Sequence, residues 1–393
     1  MTRKLNYVMT SPQFPLNYAN FAVQLKQNGV NVLGLGDEPY DQLPQVIKDN
    51  LTEYYWVPDM HNFDQMKAGI QFFIDKYGSV DRIESHNEYW LEMDARLRTE
   101  FNIFGLKNQD MDRIKNKSGM KKVFRENNIP VAKGRVFGDK ADGQALVKEL
   151  GYPVIVKPDN GVGASDTWKI NNDQELEKFY VEKDDQVPYI MEEFIEGDIV
   201  TFDGITDAEG KIVFYSSQVH SSPILDVAEA ATELTFYTAN EFADDLVELG
   251  TKSVESYGLP ERFFHHEFFR KKKDGKLIAL EINCRPPGGC AIDMMNYANQ
   301  IDVYHEYANL VAGYGFQAQL NRPYNALYVA RKFDKNYRLS YDDIVAKHHD
   351  KIIDIYESPR VLSGVMGDYA FIFVTPTTDN MPALVADVSD LAN

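Results

Sequence analysis

The run Leu280-Glu281-Ile282-Asn283-Cys284-Arg285-Pro286-Pro287-Gly288-Gly289 sets three side chains of complementary chemistry at alternate positions. Residues two apart in a strand share a face, so Glu281, Asn283 and Arg285 project together while Leu280, Ile282 and Cys284 pack on the other side. Carboxylate and amide oxygens suit a hard cation such as Mg²⁺, which keeps phosphate oxygens as further ligands. A guanidinium beside them can clamp a phosphoryl group or a developing oxyanion. The bland reading is a solvated strand face with a chance salt bridge, and the preceding strand Phe263-Phe264-His265-His266-Glu267-Phe268-Phe269 weighs against it. A three-residue hairpin loop, Lys273-Asp274-Gly275, pairs Lys272 with Lys276 and sets Glu267 opposite Glu281. Two carboxylates directly across a ladder repel, so the pair calls for a cation. A two-residue Asp274-Gly275 turn would send Glu267 to the opposite face.

A second set lies in Gly151 to Ser165, where a buried strand ends in Lys157 and the glycines 161 and 163 let backbone N–H groups approach phosphate oxygens. Taken alone, this segment reads equally well as a surface hairpin with a solvated lysine. A third, Tyr189-Ile190-Met191-Glu192-Glu193-Phe194-Ile195-Glu196-Gly197-Asp198, is an apolar strand running into acidic residues and a turn. His265 shares the Glu267 face and can meet substrate or metal, whereas His266 and Cys284 are expected to pack. Val219-His220-Ser221-Ser222-Pro223 ends a core strand and is a further candidate for substrate contact, although a plain loop histidine is the favoured reading. Gly288-Gly289 permits close approach of an anionic group to the terminus of a helix starting near Ala291. There is no G-x-x-x-x-G-K-[ST] run, and Gly34-Leu35-Gly36 and Gly161-Val162-Gly163 both lack the third glycine of the dinucleotide fingerprint. A P-loop or Rossmann cofactor site is not expected.

These residues need an α/β frame. Strands over Leu5–Met9, Val30–Leu35, Tyr54–Val57 and Val80–Ser85 alternate with helices over Leu16–Gln27 and Phe63–Lys76, which predicts a small, parallel, doubly wound unit. From Asn116 a basic amphipathic helix runs to Ile129 and stops at Pro130. The strands Gly134–Phe137 and Val154–Lys157 follow, and hairpin signals at Asp207–Gly210 and Lys273–Gly275 predict antiparallel α+β structure. Strands at Tyr328–Arg331 and Tyr369–Val374 suggest a third small module.

Taken together and in this order, the segments resemble the ATP-grasp superfamily, and within it the ligases that join a carboxylate to an amine through an acyl-phosphate. The resemblance implies an α/β plus α+β fold: an N-terminal doubly wound pre-grasp domain (1–112), an ATP-grasp domain (113–312, lid about 130–200) and a small C-terminal module (313–393). It matches Lys117, at the start of the helix ending in Ile129-Pro130, to the first ATP lysine and Lys157 to the second. Gly161, Gly163 and Ser165 fall in the mobile phosphate loop. The hinge that reads adenine becomes Glu192, by side chain or backbone, with Glu193, Phe194 and Ile195 by backbone groups. Glu267, Glu281 and Asn283 match the ligands of Mg²⁺ (or Mn²⁺), and Arg285 the arginine facing the transferred phosphoryl group. Lys121 and Lys122 are expected in solvent. Many relatives bind the ribose with a glutamate where this chain has Ile199, and Asp198 could replace it with a one-residue shift. The resemblance assigns nothing to His86-Asn87-Glu88, Arg96 or Arg98, where a substrate could enter.

Composition bounds the partners. The 393 residues carry a formal charge of −19, with 41 basic and 60 acidic side chains, which argues against nucleic acid or an anionic membrane as main partner. Two cysteines are too few for a secreted disulfide framework, and no apolar run reaches signal-peptide or membrane-span length. The expectation is a cytoplasmic ligase of small-molecule carboxylates and amines, with a homodimer left open. Rival readings are an ATP-binding regulatory or assembly protein without turnover, and a carboxylase-type enzyme using bicarbonate.

Overall fold

Alternating apolar residues build a sheet that is covered on both faces. In this computed structural model, which describes residues 3–161, 166–220 and 234–392, β1 (Asn6–Thr10), β2 (Asn31–Gly36), β3 (Glu53–Trp56) and β4 (Arg82–Glu84) pair in parallel in the order β3-β2-β1-β4. Val8, Leu33 and Leu35 face the helix Phe63–Tyr77 through Met66, Ile70 and Phe73. Tyr7, Met9 and Val32 point the other way, into a cluster that also holds Phe21, Ile205, Phe214, Phe263 and Tyr307. The N-terminal sheet thus shares a core with the middle of the chain.

A second, antiparallel sheet of β5 (Gly134–Phe137), β6 (Val154–Pro158), β7 (Trp168–Ile170) and β8 (Tyr189–Glu193) runs β5-β8-β6-β7. It has its own apolar cluster around Val154, Val156, Phe179 and Met191. The third sheet has nine strands among the described residues: β9 (Gly197–Thr206), β10 (Ile212–Ser216), β11 (Gln218–His220), β12 (Thr235–Thr238), β13 (Phe263–Lys271), β14 (Leu277–Asn283), β15 (Asn325–Arg331), β16 (Ile352–Glu357) and β17 (Tyr369–Thr375). Its order is β14-β13-β9-β11-β12-β15-β17-β16, with β10 paired to β9. The strands expected to form a separate C-terminal module therefore extend this central sheet through the β12–β15 ladder.

The N-terminal unit is locked to the central sheet by buried charge. Glu84, at the end of β4, meets both Arg98 and Arg262, and Arg262 Nε donates to the Cys284 carbonyl at 2.8 Å. Arg98 has no exposed surface. Of the residues considered for substrate entry, Arg98 is thus a buried ion-pair partner, and His86 is stacked on Phe21 with ring centroids 3.9 Å apart. Burial pushes the His86 imidazole down to about 3, so it stays neutral.

Candidate active site

The helix Lys117–Glu126 opens against the loop after β6. Lys117 N–H donates to the Asp159 carbonyl (2.8 Å), and Ser118 donates to both Asp159 carboxylate oxygens, from N–H and from Oγ at 2.7 Å each. This fixes Lys117, whose Nζ donates to the Gly161 carbonyl at 3.3 Å. Gly163 and Ser165 lie outside the described residues. Four residues on, Lys121 occupies the same helix face. Lys122 is exposed as expected, but Lys121 is only 1% exposed, a correction to the solvated reading. The cause is the lid sheet. β6 and β8 pair Ile155 with Glu192, so Ile155, Lys157 and Glu192 share the face opposite to Val154, Val156 and Met191. Glu192 then lies between two ammonium groups, Lys121 Nζ at 2.6 Å from Oε1 and Lys157 Nζ at 3.1 Å from Oε2. Burial opposes ionisation of Glu192, but the two lysines outweigh it and hold its carboxyl at about 2. Burial likewise opposes the Lys157 charge, and Glu192 and Glu281 more than restore it, so its pKa is raised.

The β13–β14 hairpin reaches the expected pairing by another route. Lys271 N–H donates to the Lys276 carbonyl and Gly275 N–H to the Lys271 carbonyl, so the loop has four residues, 272–275, and not three. That register alone would set Leu280 opposite Glu267. Phe268 does pair with Ala279, but Glu267 pairs with Glu281, so one extra residue is accommodated on β14 as a bulge. The Pro130 carbonyl accepts from Ala279 N–H at 2.7 Å and anchors the bulged strand from its other edge. As a result Leu280 turns to the cavity beside Glu281, a correction, while Ile282 and Cys284 stay in the core. Burial pushes the Cys284 thiol up to about 12, and it is inert packing.

Beside this pair, His265 Nδ1 meets Asp203 Oδ1 at 2.6 Å and Nε2 meets Glu267 Oε1 at 3.1 Å. Burial disfavours a charged imidazole, but the two carboxylates prevail and raise it to about 9. Asp203 was absent from the sequence-based set. Its signal was there: alternation along β9 turns Ile199, Thr201 and Asp203 to one face while Val200 and Phe202 enter the core. Arg285 donates from Nη1 to the Pro286 carbonyl (2.8 Å), and its Nε lies 3.6 Å from Glu88 Oε2. Glu88 Oε1 in turn meets Lys115 at 2.9 Å. Of the stretch 86–88, Glu88 is thus the residue that reaches the site.

One cavity of about 350 Å³ collects these groups: it is lined by Lys117, Lys121 and Lys157, by Glu267, Glu281, Asn283 and Arg285, and by the hinge Glu192 to Ile195. Glu193 N–H already donates to the Lys133 carbonyl (2.9 Å) and Phe194 N–H to the Pro153 carbonyl (3.4 Å), so neither is free as a backbone donor to a base. Asp198 is a correction as well. It alternates onto the Val200 face, is half exposed, and its nearest cation is Lys272 at 3.9 Å. Ile199, Glu196 and Lys272 line that end of the cavity instead. His220 is buried against Phe236 (5.1 Å), a strand residue and not a loop one, and Ser221, Ser222 and Pro223 lie outside the described residues. The helix Ala291–Asn299 begins where expected, and Gly288 lines the cavity just before it.

Among the described residues no three His, Cys, Asp or Glu side chains gather as a closed metal centre. Two facing carboxylates and an amide are instead what Mg²⁺ uses when phosphate oxygens and water complete its shell. Like charges opposed across a ladder fit such an ion.

The class of protein follows from this geometry together with the comparisons. A family model described as an ATP-grasp domain matches residues 150–293. The L-arginine-specific L-amino acid ligase of Bacillus subtilis is 27% identical over 265 residues, 65% of this chain and 63% of that one, so the chain spans just under two thirds of that relative's length. The crystal structure of L-amino acid ligase from Bacillus licheniformis superposes with a TM-score of 0.74 at 14% identity, covering 99% of this chain and 98% of that one. The biotin carboxylase domain of Hydrogenobacter thermophilus 2-oxoglutarate carboxylase, solved with MgADP, ADP and bicarbonate, gives 0.72 at 14% identity, covering 100% of this chain and 91% of that one. The fold is the ATP-grasp fold. Among the described residues no helix is long and apolar enough to cross a membrane.

Proposed function

We propose that the chain is an ATP- and Mg²⁺-dependent ligase, acting in the cytoplasm, that joins the carboxylate of an amino acid or similar small acid to an amine. The observation that carries this reading is the convergence of two lysines, two facing carboxylates, an amide and an arginine on one cavity. Lys117 and Lys157 neutralise nucleotide phosphates, the hinge from Glu192 to Ile195 receives the base, and Glu267, Glu281 and Asn283 hold the metal. Bound Mg²⁺ supplies charge neutralisation to the transferred phosphoryl group. The substrate carboxylate oxygen attacks the γ-phosphorus and the bond to the β-bridging oxygen breaks, releasing ADP. The amine lone pair then attacks the acyl carbon, the bond to phosphate breaks, and the amine proton leaves with it. Arg285 stabilises the oxyanion in between, and no covalent protein nucleophile is needed. In this proposal the chain divides at 1–112, 113–312 and 313–393, with 130–200 as the lid and the strands of 313–393 continuing the central sheet. The L-amino acid ligase relatives favour amino acids as substrates.

ADP release in the presence of Mg²⁺ and pooled amino acids tests it. ADP formed in step with a new amide supports the ligase. Normal ATP binding with no stimulation by any acid and amine supports an assembly or regulatory role, and bicarbonate-dependent ADP formation without an amine supports a carboxylase.

A further inference from the structure

Lys121 lines this cavity, and the proposed chemistry does not use it. Its cost is plain: an ammonium with 1% exposure has lost its water, and an apolar side chain of similar length would fill the space without that penalty. Its close partner is Glu192 at 2.6 Å, and the Leu280 carbonyl is 3.5 Å away. The other oxygen of Glu192 is taken by Lys157 at 3.1 Å. The carboxylate is therefore gripped at both oxygens by lysines from two different elements, the helix Lys117–Glu126 and strand β6. It stands beside the apolar walls of Ala132, Ile155 and Leu280, where a flat base would lie.

Resting on the nucleotide reading above, we infer that Lys121 is a positioning residue that fixes the Glu192 carboxylate as a rigid acceptor and so makes the pocket select adenine over guanine. The chemistry is that of the purine edge. Adenine presents an amino donor at its 6 position and guanine presents a carbonyl acceptor there. A carboxylate held still accepts from the first and faces the second lone pair to lone pair, and a buried unpaired acceptor is costly. A carboxylate tethered only by Lys157 can swing away from the guanine carbonyl, which weakens discrimination more than it weakens binding.

The test is calorimetric binding of Mg-ATP and Mg-GTP to the full chain and to Lys121→Met and Lys121→Gln variants. The inference expects the ratio of GTP to ATP dissociation constants to fall at least fivefold in Lys121→Met, and in the same direction in Lys121→Gln. A purely structural role would weaken both nucleotides alike and leave the ratio in place. A ratio retained within fivefold of wild type in Lys121→Met overturns the role of Lys121, whatever happens to the melting temperature. Should Lys121→Met fail to fold, the same threshold applied to Lys121→Gln decides. Wild-type protein that binds neither nucleotide overturns the nucleotide reading itself, and this inference with it.

Discussion

Single side chains here are governed by who shares their desolvated space. Glu281 and Glu267 face one another across β13 and β14, and that opposition is tolerable with a cation between them. Glu281→Gln keeps the shape and removes the charge. ADP formation should fall by about 10²-fold or more; retained Mg²⁺-dependent turnover would defeat the metal assignment. His86 shows the opposite case, a base kept neutral by burial. Between its ordinary value of 6.5 and about 3 the unfolded chain binds a proton at this residue and the folded chain does not, so stability is lost on acidification through that window. At pH 5 the loss is ~2 kcal/mol by the usual conversion. Burial lifts Asp94 and Asp293 to about 6, which acts in the other direction, since stability from these groups is lost as pH rises through that value. The difference between wild type and His86→Asn isolates the histidine. Urea midpoints from pH 7.5 to 5 should converge for the two proteins as pH falls.

Elements hold these side chains by close backbone approach. The helix carrying Lys117 and Lys121 follows the short helix Met111–Lys115 directly, and at Gly119 a Cβ would stand 2.1 Å from the Asp112 carbonyl oxygen. That oxygen belongs to backbone and cannot give way as a flexible side chain would. Gly119→Ala should cost about 1–3 kcal/mol by overpacking and displace both lysines, so nucleotide affinity should fall along with the thermal midpoint. Loss of stability with unchanged affinity would show that the helix moves without its N-terminus. The β14 bulge is the second such device. Its extra residue turns Leu280 and Glu281 both toward the cavity, with Ala279 held by the Pro130 carbonyl.

Across the whole molecule, the N-terminal sheet and the central sheet are joined by a shared apolar cluster and by the Glu84 ion cluster. Glu84 lies between two buried arginines, one of which also holds the carbonyl of Cys284, the residue before Arg285. Glu84→Gln leaves both guanidinium groups short of a counter-charge, and the expected loss is about 3–5 kcal/mol. Equilibrium urea unfolding reads it directly, and a loss below about 1 kcal/mol would mean that water compensates the pair. The chain carries a net charge of −19, and its cavity is lined by both lysines and glutamates together with Arg285.

Local pattern sufficed for much of this protein. Period-two alternation within β14 placed Glu281 with Asn283, apolar runs marked the parallel strands, and Ile129-Pro130 ended the helix that starts at Lys117. These depend on geometry repeated every two or four residues, which a sequence displays directly. What lay beyond it depended on contacts between segments distant in the chain. The hairpin loop is one residue longer than its Asp-Gly signal suggested, and only the bulge returned Glu281 to its place. Lys121 is buried because a lid strand some seventy residues later brings Glu192 over it, and Asp198 is turned away from the cavity because it shares the face of Val200 and Phe202, which enter the core. Desolvation and strand register are properties of assembled neighbours, and no residue carries them alone.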